Sequence, residues 1–233
     1  MLSGKDIKLL RSLRQKKFRD ESGFFTVEGE KMVSEALASG FDVPLVVRKE
    51  EVGEEIMAKI SAMSSPSSAL ALVRKPQERQ MPEPQGLCLA LDGVRDPGNF
   101  GTILRIADWF GIDAVYASAD SVEFYNPKVI QAGMGAVFRK QVFYCDIPAL
   151  CRRFAAAGIG VFGTFLNGEN IYGASLPAQG LIVMGNEADG ISPETAAEVS
   201  VRLTVPSFAG GRGAESLNVA VAAAICISEF RRR

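Results

Sequence analysis

The sequence predicts an α/β chain, with a parallel sheet flanked by helices in its larger C-terminal part and a small α/β unit ahead of it. From Leu87 onward, short runs of strand length alternate with segments of helical period, which is the order a parallel sheet requires. The runs are almost wholly apolar rather than alternating, as strands buried on both faces are. Between the two parts, KPQERQMPEPQG from Lys75 to Gly86 is polar, and Pro76, Pro82 and Pro84 keep it extended. These signals divide the chain into 1–75, a linker at 76–86, and 87–233.

Composition sets the limits. With 233 residues, 47% of them hydrophobic, the chain can bury a sizeable core. A net charge of −1 and a pI near 5.7 exclude wholesale electrostatic capture of nucleic acid, so any RNA contact must be local. The sequence has no histidine, the commonest general base and metal ligand, and no metal site is expected. Cys88, Cys145, Cys151 and Cys226 lack C-x-x-C spacing and read as buried thiols of a reducing compartment. No apolar run reaches the length of a membrane span, and the charged N-terminus is unlike a signal peptide. A cytoplasmic location is the expectation.

Residues 1–19 carry seven basic side chains (Lys5, Lys8, Arg11, Arg14, Lys16, Lys17, Arg19) against Asp6 alone, a local excess of +6. Ile7, Leu9, Leu10 and Leu13 mark the apolar face of a helix, so the charges should project from its other faces, as a solvated surface or as an arm for phosphates. A strand at Phe24–Gly29, a helix at Glu30–Ser39 and strands at Pro44–Val47 and Ala69–Val73 complete the first unit. Past the linker, the expected strands are Leu87–Leu91, Ala114–Ser118, Gln141–Cys145, Gly160–Phe165, Leu181–Met184 and Val201–Val205. Helices open at Asn126-Pro127, Asp146 and Ser192-Pro193. Gly158, Gly160 and Gly163 spell G-x-G-x-x-G, but a helix precedes them and a strand follows. A dinucleotide site needs the reverse order.

Three stretches carry chemistry. In DPGNFGTILRIAD (96–108) a turn opens a helix whose apolar stripe is Phe100, Ile103, Leu104, Ala107 and Phe110; Arg105 within it calls for an anionic partner, either a structural salt bridge or a ligand. In GNEADGIS (185–192) a glycine at a strand end allows close backbone approach, and Glu187 is either a functional carboxylate or a plain loop residue. In GGRGAESLNVAVAAA (210–224) a glycine-rich loop runs into an apolar helix. Ser216 and Asn218 stand at the junction, as helix caps or as ligands.

In that order the three resemble the sequence motifs of the SpoU-type RNA 2′-O-methyltransferases, of the knotted SPOUT class, and FTVEGEKMVSEALASG resembles the small RNA-binding domain that precedes many of them. The resemblance implies a C-terminal trefoil knot, S-adenosylmethionine as methyl donor, a homodimer, and RNA as substrate, ribosomal rather than transfer RNA. It assigns catalytic roles to Asn99, Arg105, Glu187, Ser216 and Asn218, and a cofactor pocket to Gly185, Val205 and Leu217, with Thr164 and Phe165 beside them. The chain departs from the family pattern at Ala188, where a glycine is usual and where positive φ would strain alanine, and in a longer loop around 207–215. A guanidinium does not readily give up a proton, so Arg105 suits phosphate binding and charge stabilisation, leaving proton removal to Glu187, Ser216 or water. The rival reading is a non-catalytic RNA-binding or ribosome-assembly factor of the same fold, which would have no need to retain all five polar residues together.

Overall fold

The computed structural model describes residues 2–77, 80–209 and 214–232. The chain forms two compact units, one made of Met1–Arg79 with Glu123–Arg139 and the other of Gln80–Val122 with Lys140–Arg233. The segment 123–139, which the sequence reading left within 87–233, therefore clusters with the N-terminal residues.

The first unit begins with α1 (Gly4–Ser12) and α2 (Lys16–Ser22), followed by β1 (Phe24–Glu28), α3 (Glu30–Ala38), β2 (Leu45–Arg48), α4 (Lys49–Val52), α5 (Glu54–Ile60) and β3 (Ala69–Arg74). The strands form an antiparallel sheet in the order β1-β3-β2. A capping box between Ser3 and Asp6 starts α1. Leu10 and Leu13 then pack against Val47, Met57, Ile60, Leu70 and Leu72.

The basic segment is therefore built into a core. It is two helices rather than one, and only part of its charge reaches solvent. Arg14 donates to the carbonyls of Lys59 and Ser61, and Lys16 pairs with Asp20 at 2.6 Å. Arg19 is buried, bonded to the Leu13 carbonyl at 2.7 Å and to Glu123 at 2.5 Å. Lys5, Lys8 and Arg11 remain exposed. The expectation that all seven basic side chains project from the helix is corrected for these reasons.

The second unit starts with β4 (Leu87–Leu91), α6 (Pro97–Trp109) and β5 (Val115–Ala117). The chain then rejoins the first unit through α7 (Pro127–Gly133) and a 3-10 turn at Ala136–Phe138. There Tyr125 stacks on Phe25, Phe138 meets Phe41 edge-on, and Arg139 pairs with Glu35 at 2.9 Å. It returns through β6 (Val142–Tyr144), α8 (Ile147–Ala156), β7 (Val161–Asn170), β8 (Gly180–Met184), α9 (Pro193–Ala197), β9 (Val201–Thr204) and α10 (Val219–Arg232).

These strands form a parallel sheet in the order β6-β5-β4-β8-β7-β9. Every residue of β4, β5 and β8 is buried, as the apolar runs require. Neighbouring residues of β7 point to opposite faces. Val161 joins the cluster packed by Leu150 and Phe154 of α8, whereas Phe162 meets Phe230 of α10 edge-on at 5.0 Å, so helices cover both faces.

β7 runs five residues beyond its expected end. After a register shift, Glu169 and Asn170 pair with Leu203 and Thr204, and a Cβ on Gly168 would lie 2.6 Å from the Arg202 carbonyl oxygen. The polar run NGEN lies beyond the expected strand because only this long-range pairing makes it strand. All four cysteines are free thiols; burial pushes Cys145 up to about 11 and Cys226 up to about 12. No helix of the described residues is long and apolar enough to cross a membrane.

The Arg19–Glu123 pair gives a stability prediction. Arg19→Ala leaves the largely buried Glu123 carboxylate with only Lys75, 3.9 Å away, so it should destabilise the protein by about 3 kcal/mol, whereas Lys17→Ala, exposed on the same helix, should stay within about 0.5 kcal/mol. Urea unfolding of both variants measures this, and equal midpoints would contradict the assignment.

Candidate active site

The sheet places the loops. Leaving β4 the chain steps outward to β5 and β6, then crosses to the other side for β7, so the order reverses between β4 and β8. In such sheets the crevice beyond the strand C-termini at that point is the usual ligand site. The loop after β4 leads into α6 there, and the loop after β8 carries Glu187.

Asp96 and Pro97 start α6. The Asp96 carboxylate accepts from the Asn99 backbone N–H at 2.7 Å, and Pro97 occupies a first-turn position whose N–H would go unused. Asn99 thus sits in the first turn, half-buried. Its Nδ2 donates to Glu187 Oε1 at 2.9 Å, and its Oδ1 accepts from Asn218 Nδ2 at 2.8 Å. Asn218 serves two purposes: its Oδ1 also accepts from the N–H groups of Ala220 and Val221, capping α10. The cap reading of this residue holds, and its Nδ2 at the same time ties α10 to Asn99.

The second loop closes on itself. Asn186 and Gly190 exchange backbone hydrogen bonds of 2.8 and 3.0 Å, and Asn186 Oδ1 accepts from the N–H groups of Ala188 and Asp189. Gly190 takes the positive φ, +73°, and Ala188 does not, so the strain considered for alanine is absent. At Gly185 the expected close approach exists, but it is made by the loop's own backbone. A Cβ there would lie 2.2 Å from the Gly190 carbonyl carbon and the Ile191 nitrogen.

Both ends of this loop are tied to the segment after β4. Asn186 Nδ2 donates to the Gly93 carbonyl at 2.7 Å, and Asp92 Oδ2 accepts from the Ser192 N–H and hydroxyl at 2.8 Å each. Beside them, the Ser118 hydroxyl and the Arg95 guanidinium lower the Asp120 carboxyl below its usual value. The Asp120 bond, with smaller contributions from Asp189 and Glu187, raises Arg95. Sequence reading gave no role to Asp92 or Arg95, took Asn186 only as part of the second motif, and took Ser192 only as a helix start, which it is. The available signal was short polar side chains directly after two apolar strands.

Three of the five residues expected to be catalytic, Asn99, Glu187 and Asn218, are joined in one hydrogen-bonded chain. Arg105 and Ser216 lie outside it. Arg105 is exposed on α6, and the salt-bridge alternative finds no carboxylate partner among the described residues. Ser216 is exposed in the loop before α10. Of the expected pocket, Gly185 and Val205 lie just past the C-terminal ends of β8 and β9, whereas Thr164–Phe165 lie within β7, where its register against β9 shifts, because the strand continues to Asn170 instead of ending there as expected. The Thr164 hydroxyl donates to the Val183 carbonyl at 3.2 Å, Phe165 lies under the Arg202 guanidinium at 3.7 Å, and Leu217 is 49% exposed. Arg212 and its glycine neighbours at 210, 211 and 213 lie outside the described residues. No three Cys, Asp or Glu side chains gather as a metal site among those described.

A parallel α/β unit with a polar set at its switch point, completed by a capped C-terminal helix, is the arrangement of an α/β protein that binds its ligand at the strand C-termini. The chain belongs to the SpoU rRNA methylase family, whose model matches residues 86–228, and a model of the MRM3-like substrate binding domain matches residues 5–55. It is 30% identical to the 23S rRNA (guanosine(2553)-2′-O)-methyltransferase RlmP of Bacillus subtilis, over 97% of this chain and 95% of that one. Among solved structures it is similar to a TrmH-family protein from Porphyromonas gingivalis, with a TM-score of 0.89, 41% identity, and coverage of 100% of this chain and 99% of that one. An AdoMet-bound rRNA methyltransferase from Sinorhizobium meliloti matches with a TM-score of 0.85 and 29% identity, over 100% of this chain and 97% of that one.

Proposed function

We propose that this chain transfers a methyl group from S-adenosylmethionine to a ribose 2′-hydroxyl of ribosomal RNA. The observation that carries the reading is the Asn218–Asn99–Glu187 chain at the switch point, in a member of a family whose named relatives do this chemistry. A pure binder has no use for a carboxylate held by one asparagine that a second asparagine holds in turn.

The pocket residues suit the donor. Thr164, Phe165, Gly185, Val205 and Leu217 bring no charged side chain, which matches a ligand held through backbone groups and apolar contact, and the S. meliloti neighbour is AdoMet-bound. When bound, S-adenosylmethionine supplies a sulfonium methyl group. The chain's own residues align the ribose and remove its proton. Asn218 fixes the Asn99 amide, which then donates to Glu187 Oε1 and leaves Oε2 to take the proton of the 2′-hydroxyl. Arg105 holds the phosphate next to the target ribose and stabilises the developing alkoxide. Ser216 closes the site from the loop before α10.

The protein works as a homodimer. Trp109 is 85% exposed, one turn beyond Arg105 on α6, and Val221 on the adjoining α10 is 49% exposed; a monomer gains nothing from leaving such side chains in water. This supports a subunit interface beside the active site. The C-terminal trefoil knot belongs to the same reading and rests on membership of the family. The first unit binds RNA, with Lys5, Lys8 and Arg11 as its phosphate contacts. The cytoplasm is its place of action, where the bacterial relatives' ribosomal RNA is found.

Two outcomes are expected. Arg105→Ala should lower methyl transfer to ribosomal RNA by about 10²-fold or more, in line with losing one transition-state donor, and Arg105→Lys, which loses the planar fork, should rescue little. Turnover near wild type at saturating cofactor would make the arginine structural. Replacing Lys5, Lys8 and Arg11 with Ala should weaken RNA binding and reduce its log–log salt slope by about two, at roughly 0.7–0.9 for each phosphate no longer neutralised. Deleting residues 1–19 would instead remove Leu10 and Leu13 from a core. Filter binding across a salt series checks this, and an unchanged slope would remove the three from the interface.

A further inference from the structure

We infer that Asn186 and Asp92 are positioning residues, a two-point clamp that holds the Glu187 loop against the segment after β4 so that the Glu187 carboxylate meets Asn99. The inference rests on the role proposed above for Glu187, and it concerns two side chains that touch neither the substrate nor the donor. Glu187 is exposed, and an exposed glutamate at a loop tip samples many rotamers unless its backbone is fixed. Its backbone is fixed from both sides. Immediately before it, Asn186 uses both ends of its amide: Oδ1 closes the turn on the N–H groups of Ala188 and Asp189, and Nδ2 donates to the Gly93 carbonyl at 2.7 Å.

At the far end, Asp92 is only 9% exposed, and a carboxylate so buried needs strong donors. It takes both from Ser192, the backbone N–H and the hydroxyl, each to Oδ2 at 2.8 Å. Ser192 in turn caps α9 through the Thr195 N–H. Asp92 and Gly93 are adjacent at the end of β4, so one short piece of chain anchors residues 186 and 192 together, and the bridge between Asn186 and Gly190 carries the constraint across the loop. The same piece leads through Asp96 into the first turn of α6, which carries Asn99. The clamp therefore sets the distance between the two catalytic side chains, the kind of fit in which a shift of about 1 Å costs on the order of 10²-fold.

The test compares kcat and KM for ribosomal RNA, isolated from cells lacking the gene, at saturating S-adenosylmethionine. Asn186→Asp keeps the turn acceptor and loses the donor to Gly93, while Asp92→Ala releases Ser192. Each should lower kcat at least about tenfold with KM for RNA changed less than about twofold. In a Glu187→Gln background, where the carboxylate no longer works as a base, each should change kcat less than about twofold, because misplacing an idle group costs nothing.

Asp92→Asn, which keeps the shape and one acceptor oxygen, should recover part of the loss and guards against a fold defect in the alanine variant. An unchanged kcat in either single variant overturns the inference. Effects that multiply fully with Glu187→Gln also overturn it, because the clamp would then act on something else. Should Glu187→Gln itself turn over at the wild-type rate, the base assignment fails on its own, and a slow Asp92→Ala in that case contradicts the clamp as well.

Discussion

The active site depends on one juxtaposition, the parallel pairing of β4 with β8 from Leu87↔Gly180 to Leu91↔Met184. Because the two strands run the same way and end together, the loops that follow leave one edge of the sheet side by side, although their contacting residues are 88 to 100 positions apart in sequence. Everything polar at the site uses that proximity. The Gly93 carbonyl accepts from Asn186, Asp92 accepts from Ser192, and Glu187 accepts from Asn99. The strands themselves are wholly apolar and buried, so they supply the rigidity and almost none of the chemistry.

The C-terminal helix completes the arrangement through a single side chain. Asn218 caps α10 with its oxygen and reaches Asn99 with its nitrogen, so the side chain that starts the last helix also joins it to the site. The network also defines the amide orientations: the oxygen of Asn99 faces a donor and its nitrogen faces a carboxylate, and a flipped amide would oppose like to like at both contacts. Arg105 stands apart from this network on an exposed helical face that it shares with Trp109. No carboxylate among the described residues pairs with it.

Most of the fold was legible in sequence because buried parallel strands leave a simple signature: apolar runs bounded by glycine, proline and helix caps. The strand starts and ends agree to within a residue or two except at β7, whose second half becomes strand only by pairing with Leu203 and Thr204. Local pattern contains no trace of such pairing. The basic segment was misread for a similar reason. Its apolar face was plain, but that Arg19 turns inward to Glu123 is set by a partner 104 positions away. In the site, Asn99, Glu187 and Asn218 were legible through motif order. Asp92 and Asn186 were not singled out, because a residue that only holds another shows its purpose once the loops are in place.

If the site between the β4 and β8 loops methylates a ribose of ribosomal RNA, the modified nucleotide is itself the readout. The most direct measurement is a map of 2′-O-methyl positions across ribosomal RNA from cells with the gene, without it, and without it but supplied with either the wild-type chain or Asn99→Ala. One methylated position should vanish with the gene, return with the wild-type chain, and stay absent with Asn99→Ala, which breaks the link between Glu187 and Asn218. A methylation map that is identical in all four strains would contradict this function.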